Sequence, residues 1–554
     1  MQKYDLIVIG GVAAGTKAAA KTRREKPDWK IAIITRDDDV SYAGCGLPYF
    51  IGDIIQNRGQ LVVRTPETLR LVHSIDVFTR HSVLSIDREK HTVSVQNTNS
   101  NEKLEFGYRK LLLATGASAM RPPIPGIDSE RIHTIRSVTD ADAILAGMGS
   151  KSGRAVVVGG GFIGIEVAEN LKHRGWEVTV IEMLPQILPP FDLEIALMMQ
   201  KHLEKNGVRI VTGACVQSFC DKDGGVEVAT SNGAFQADIV ILSIGIKPNS
   251  GLGCDSGLEL GCRGTIRVDA CGRTSDPDIF AAGDCASTFS VTSGNEAWSP
   301  MGSTANKQAR AAALTLTGTE SEFPGVLGTM IVKAFGFSAA RTGVNEREAC
   351  ESKMNAVSVT VPSDDRAHYY PGSEKIAIKL TADAETGELL GCQTYGMGAV
   401  DKPLDAIAVA ITMGATVHDV AHVDFAYAPP FSTAINPVNL ACYVMQNKLS
   451  GKLESIGPVE ANCMIHSPDW DGLLLDPREI PEFMIGTVPG AVNIPIHEFP
   501  TRLAEVAAFK DKTVIVVCNY GKRAFEAYVR LKHHGFNRVK VLEGGTKFWP
   551  YELE

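Results

Sequence analysis

The chain has 554 residues, 44% hydrophobic and 21% charged, with a formal net charge of -9; that length exceeds one hydrophobic core and implies roughly three or four domains. The acidic balance gives no electrostatic basis for binding nucleic acid or an anionic membrane, and the 12 cysteines, scattered and without zinc-type spacing, argue against a disulfide scaffold or a metal site. No apolar run approaches the roughly 20 residues of a membrane span, and a strand starting by Tyr4 leaves no room for a signal peptide, so a cytoplasmic protein with reduced thiols is expected.

The run Asp5-Leu6-Ile7-Val8-Ile9 is continuously apolar, as in a parallel strand buried on both faces. It leads through Gly10-Gly11-Val12-Ala13-Ala14-Gly15 into a helix reaching Arg24. Such a turn sets a pyrophosphate on helix-terminal N–H groups. Val12 stands where the middle glycine of G-x-G-x-x-G belongs. Thr35, followed by Arg36 and Asp37, stands where an acidic ribose ligand is expected, and a plain βα unit fits equally well.

Next comes Ser41-Tyr42-Ala43-Gly44-Cys45-Gly46-Leu47-Pro48-Tyr49. The glycines leave the sulfur unshielded, and a helix beginning in the apolar run 47–55 would favour the thiolate through its dipole. No further cysteine follows before Cys215, which excludes a local Cys-x4-Cys pair. A small buried core residue is the alternative reading of Cys45.

Leu111-Leu112-Leu113 ends in Ala114-Thr115-Gly116, and Pro122, Pro123, Pro125 and Gly126 then mark a crossover between domains. Ala155-Val156-Val157-Val158 leads into Gly159-Gly160-Gly161-Phe162-Ile163-Gly164, a complete G-x-G-x-x-G, with a helix to His173. The following strand ends at Glu182, placed to accept a ribose 2′-hydroxyl and to repel a 2′-phosphate, which favours NADH over NADPH. A buried strand over 237–245 precedes Ile279-Phe280-Ala281-Ala282-Gly283-Asp284, where a glycine turn delivers an aspartate.

Residues 447–461 are polar, with Gly451 and Gly457-Pro458, and read as a linker. The chain then starts afresh. Leu473-Leu474-Leu475 ends in Asp476-Pro477-Arg478-Glu479, and Thr513-Val514-Ile515-Val516-Val517 delivers Cys518-Asn519-Tyr520-Gly521-Lys522-Arg523 before a helix. Successive N–H groups in such a turn form an anion-binding nest, and Lys522 and Arg523 add positive charge, which suits a sulfur-carrying thiolate at Cys518. A structural cysteine is the alternative.

The order of the turns at 10–15, 114–116 and 159–164 and of Asp284 resembles the flavoprotein disulfide reductases with two dinucleotide domains. The resemblance implies an α/β fold with an FAD domain (1–118 and 246–321), an inserted NADH domain (119–245), an α+β dimerisation domain (322–446), the linker (447–461) and a rhodanese domain (462–554). FAD would lie on Gly10, Gly11, Ala14, Gly15, Thr35 and Arg36, with Ala114, Thr115, Gly116, Asp284 and Ala305. NADH would lie on Gly159, Gly161, Phe162, Ile163 and Gly164, with Glu166, Glu182 and Gly245.

The surroundings of Cys45 narrow the resemblance to the branch of coenzyme A disulfide reductases, NADH oxidases and NADH peroxidases, whose members commonly have Asn where Gly44 stands. His368-Tyr369-Tyr370-Pro371-Gly372 and Tyr427-Ala428-Pro429-Pro430-Phe431-Ser432 resemble coenzyme A disulfide reductase signatures. They imply that Tyr369 and Tyr427 reach across a homodimer towards the partner's cysteine as proton donors; otherwise they are aromatic residues packed at turns.

Residues 462–554 resemble a rhodanese, with Cys518 and Arg523 in a Cys-x-x-Gly-x-Arg loop and Thr487 where His is frequent. The whole arrangement resembles coenzyme A disulfide reductases fused to a rhodanese, including NADH-dependent persulfide or polysulfide reductases. It implies that electrons pass from NADH through FAD to Cys45, that Cys518 handles sulfane sulfur, and that sulfide is released. Coenzyme A would contact Lys17, Lys21, Arg24, Ser41 and His73, although the first three also fit a solvated helix face. The alternatives are a coenzyme A disulfide reductase with an accessory rhodanese, an NADH oxidase or peroxidase cycling Cys45 through a sulfenic acid, and a redox sensor without turnover. No metal, nucleic acid or membrane partner is expected.

Overall fold

The first apolar run forms the strand Gln2–Ile9, and the glycine turn releases it into the helix Ala13–Glu25. The computed structural model describes residues 1–149, 152–222 and 224–554. Its chain divides into two units, Met1–Met183 with Gly213–Val326 and Leu184–Thr212 with Leu327–Glu554.

In the first unit, Gln2–Ile9 lies between Ile31–Ile34 and Lys103–Leu113, and Ile279–Ala281 also pairs with Lys103–Leu113. All three pairings are parallel, and the register aligns Ile9 with Ile34 and Leu113, and Leu113 with Ala281. Each strand therefore ends at the same sheet edge, where ligands of parallel sheets bind. Gly10, Thr35, Ala114 and Ala282 are the next residues along.

Alternate side chains bury on opposite faces. Leu6, Val8, Ile31 and Ile33 pack under Ala14, Ala18 and Ala19 and under Ala305, Ala309 and Ala312 of the helix Gly302–Leu316. Ile7, Ile9, Ala32 and Ile34 pack with Val93, Val95 and Ile266. A second parallel arrangement runs Glu177–Ile181, Arg154–Val158, Ile239–Leu242, Ile132–Thr134. Val158 aligns with Ile181 and Leu242, so the complete glycine motif, Glu182 and Ser243 share one edge.

The second unit holds two sheets. The antiparallel one has the order Met330–Ala334, Phe337–Gly343, Leu389–Gly396, Lys375–Asp383, Ala356–Asp364. Ile376, Ile378 and Leu380 face Leu404, Ile407, Val438 and Met445 of the helices Asp401–Thr412 and Pro437–Leu449. Between Ile378 and Leu380, Lys379 is buried with its ammonium on Asp192, Glu194 and Glu346. Those three carboxylates converge as metal ligands do, but the ammonium already links them as a buried ion network.

The other sheet is parallel, in the order Ser455–Ile456, Arg538–Leu542, Thr513–Val516, Leu473–Asp476, Val492–Asn493. Its carboxyl edge brings together Asp476, Cys518 and Glu543. Residues 447–461, expected as a linker, are mostly built into structure. The helix Pro437–Leu449 runs into them, Ser455–Ile456 is an edge strand of this sheet, and Pro458–Ile465 is a helix. Parallel pairing to Val541 and Leu542 outweighs the polar composition. Among the described residues, no helix is long and apolar enough to cross a membrane.

Candidate active site

Gly10 has φ +107, and a Cβ there would lie 2.1 Å from the Ala114 carbonyl oxygen. Only glycine permits that left-handed turn beside the neighbouring strand. Gly159 repeats the geometry, with φ +106 and a would-be Cβ 2.4 Å from the Ser243 oxygen. Gly15 and Gly164 let each helix close onto its own turn, their would-be Cβ atoms lying 1.9 and 2.0 Å from the Gly10 and Gly159 oxygens. The space beside Gly161 is open, as a phosphate approaching the backbone requires.

Thr35 is buried, and its backbone is fixed by Phe78 and His81. Arg36 is exposed and sits 3.6 Å from Asp37, whose carboxyl is pushed up mainly by burial. Asp284 follows Gly283, where a Cβ would come within 2.9 Å of the Ala14 side chain and 3.5 Å of that of Ala305. Its carboxylate is ion-paired with Arg136, and its carbonyl accepts the Trp298 Nε1 proton at 2.9 Å. Glu182 is buried, and one carboxylate oxygen accepts the Gly160 N–H at 2.7 Å. The residue expected to meet a ribose therefore also braces the glycine loop.

Cys45 is exposed in the short turn Gly44–Gly46, ahead of the helix Leu47–Ile51. That helix is shorter than the apolar run 47–55 suggests. Burial pushes the Cys45 thiol up, Glu166 adds to the shift by charge, and Arg136 opposes it. The residue is exposed, yet burial around it is the largest cause of the shift. Burial thus works against the thiolate expected at Cys45, and Arg136 works for it.

Glu166 is pushed up to about 7 by burial and by Glu169, against a hydrogen bond donated by the Tyr49 hydroxyl. Above that pH its charge opposes ionisation of Cys45; below it both groups are protonated. Glu166→Gln removes the charge, so alkylation of Cys45 by iodoacetamide at pH 8 should run about two- to threefold faster than in the wild type. The two rates should converge below pH 6, as read by mass spectrometry of the Cys45 peptide.

The expected coenzyme A positions are partly gathered. Burial, Arg64 and Arg24 all lower the His73 pKa, and His73 Nε2 lies 2.8 Å from Arg64. Lys21 is ion-paired with Glu25 one turn on, and Lys17 is half-buried on the same helix. Ser41, with φ 51, turns the chain between Gly11 and Val63.

In the second unit, the Cys518 sulfur accepts N–H groups of Gly521 at 3.1 Å and Ala524 at 3.3 Å. Arg523 does not stand free. Both its terminal nitrogens are held by Glu482, at 2.5 and 2.6 Å, so the loop is less positive than its sequence suggests. Asn519 receives a 2.6 Å bond from Arg478 and donates one of 2.8 Å to Glu482. Arg478 is buried against Asp476, which also accepts the Thr487 hydroxyl. Tyr369 and Tyr427 are exposed and meet one another, and the bond to Tyr369 holds the Tyr427 proton more firmly.

Residues 4–312 match the family model of the pyridine nucleotide-disulphide oxidoreductases, 330–438 that family's dimerisation domain, and 458–551 a rhodanese-like domain. The chain belongs to the pyridine nucleotide-disulphide oxidoreductases. A NAD-dependent persulfide reductase from A. fulgidus is 39% identical with a TM-score of 0.93, covering 98% of this chain and 99% of that one. Reduced Bacillus anthracis CoADR-RHD is 36% identical, also with a TM-score of 0.93, covering 99% of this chain and 98% of that one. An NADH oxidase of Methanocaldococcus jannaschii is 33% identical over 448 residues, covering 80% of this chain and 99% of the relative.

As a pyridine nucleotide-disulphide oxidoreductase, this protein is an FAD-dependent oxidoreductase that uses NADH. The second glycine turn fits a dinucleotide phosphate, because the space where a Cβ would stand at Gly161 is open, whereas in the first turn Val12 holds that place. Reading the sequence missed Arg136, Arg64 and Glu482. Arg136 and Glu482 are recognisable only through distant partners, and Arg64 through His73, nine residues on.

Proposed function

We propose that this oxidoreductase uses NADH to reduce persulfide or polysulfide sulfur to sulfide at Cys45, with Cys518 as the sulfur-handling residue of its rhodanese domain. The observation that carries this reading is Cys518, cupped by two backbone N–H groups at the end of a parallel strand, in a chain that also carries a solitary Cys45 and two dinucleotide cradles. FAD, when bound, carries an electron pair from NADH to sulfur. The glycine turn at Gly10, with Thr35, Ala114 and Asp284, would hold FAD; that at Gly159, with Glu182, would hold NADH.

The ionised Cys45 sulfur attacks the outer sulfur of a persulfide, the inner sulfur leaves as a thiolate, and Cys45 keeps the transferred atom. An electron pair then cleaves that bond, releasing sulfide and restoring Cys45. In sum, one persulfide, one NADH and one proton give one thiol, one hydrogen sulfide and one oxidised NAD. Tyr369 and Tyr427 act as proton donors for the leaving thiolate from across a homodimer. Arg24, Arg64 and His73 bind the phosphates of coenzyme A, with Lys17, Lys21 and Ser41 alongside. That basic cluster also supports a second reading, reduction of coenzyme A disulfide itself.

The test is anaerobic NADH oxidation with polysulfide, coenzyme A persulfide and coenzyme A disulfide in turn. Stoichiometric sulfide with the first two, at higher kcat/KM than with the disulfide, is expected. Preference for the disulfide would favour the second reading, and fast turnover with oxygen alone would favour an oxidase.

A further inference from the structure

The loop that carries Cys518 is braced from outside its own domain. Tyr520, two residues after the cysteine, presents its ring to Lys375 with the ammonium 4.6 Å from the centroid. Lys375 opens the strand Lys375–Asp383 and is ion-paired with its cross-strand partner Asp364. A carboxylate on one side and an aromatic face on the other fix that ammonium in place.

The opposite side of the loop is held as well. Gly545 packs against the Cys518 and Asn519 carbonyls, where a Cβ would come within 2.3 Å of the first. The Thr546 N–H donates to the Cys518 carbonyl at 2.9 Å. Two residues before Gly545, buried Glu543 accepts the Lys448 ammonium at 2.8 Å and the Thr360 N–H, also at 2.8 Å. Thr360 lies on Ala356–Asp364, an edge strand of the antiparallel sheet. Glu543 thus pairs a backbone donor that an edge strand otherwise leaves to solvent.

We propose that Lys375 and Glu543 are positioning residues for sulfur transfer at Cys518, so that the antiparallel domain completes the rhodanese site. This rests on the reading of Cys518 as the sulfur-handling residue. In the transfer, the Cys518 thiolate attacks a sulfane sulfur of polysulfide, the donor S–S bond breaks, and the shortened polysulfide anion leaves. Cyanide then takes the terminal sulfur as thiocyanate and returns the thiolate. Neither step needs NADH.

The full-length flavoprotein is assayed for thiocyanate formed from polysulfide and cyanide, and separately for NADH oxidation with coenzyme A persulfide. Lys375→Met should slow thiocyanate formation about three- to tenfold through kcat. Lys375→Arg, which keeps the cation over the ring, should keep the wild-type rate, as should Tyr520→Phe, while Tyr520→Leu should match Lys375→Met. The NADH reaction should be unchanged in all four.

Because Lys375 is partly exposed, its loss spares the fold. Glu543→Gln supplies an independent arm and should also slow transfer. If Cys518→Ser abolishes transfer while Lys375→Met and Glu543→Gln both match the wild type, the positioning role is overturned and the Cys518 reading stands. If Cys518→Ser transfers sulfur normally, both fall.

Discussion

Cys45→Ser should abolish NADH-dependent sulfide release, lowering it about a thousandfold or more. A serine hydroxyl stays protonated at neutral pH and cannot hold a transferred sulfur in a bond that an electron pair then cleaves. The substitution is sterically mild. Cys45 is exposed in its turn, and the neighbouring contacts that set the loop belong to Gly46, whose would-be Cβ lies 2.8 Å from Leu61 and 3.3 Å from Ile55. FAD content and thermal stability should therefore match the wild type, which separates a chemical loss from a folding one. Anaerobic sulfide assay with coenzyme A persulfide is the measurement. Undiminished sulfide release would refute Cys45 as the reacting sulfur.

Asp476→Asn should produce the largest loss of stability. Asp476 and Arg478 are 0% and 2% exposed, and the guanidinium donates to both carboxylate oxygens. Removing that charge leaves a buried cation without its directly bonded counter-ion, a change that costs about 3–5 kcal/mol. Arg478 also holds Asn519 beside Cys518, so the damage reaches the sulfur-handling loop. Calorimetry should show unfolding at a lower temperature, and thiocyanate formation from polysulfide and cyanide should be lost. NADH oxidation with coenzyme A persulfide should persist, because Cys45 and the glycine turns belong to the other unit. Unchanged melting would show that Asn satisfies Arg478 without the charge.

Much of the architecture was legible in the chain. The helix ending at His173 and the strand Glu177–Ile181 fall where apolar runs and glycine turns place them. Such signals are local, since a parallel strand buried on both faces must be apolar throughout. The stretch 447–461 illustrates the complementary case. A short edge strand is made by its partner, here Arg538–Leu542, and its own composition carries little trace of that pairing.

The candidate site divides along the same line. By itself the sequence determined where the chain turns, that both cysteines sit in glycine-punctuated loops, and that Asp284 follows a buried strand. These follow from steric rules acting over a few residues. Only the tertiary structure decided how each charge is spent. Arg136 lies 148 residues from Asp284, Glu482 lies 41 from Arg523, and Glu543 lies 95 from Lys448. Those pairings, with the burial that raises Cys45 and Glu166, depend on which elements pack together, because the strength of a charge is set by its neighbours and by the water they exclude.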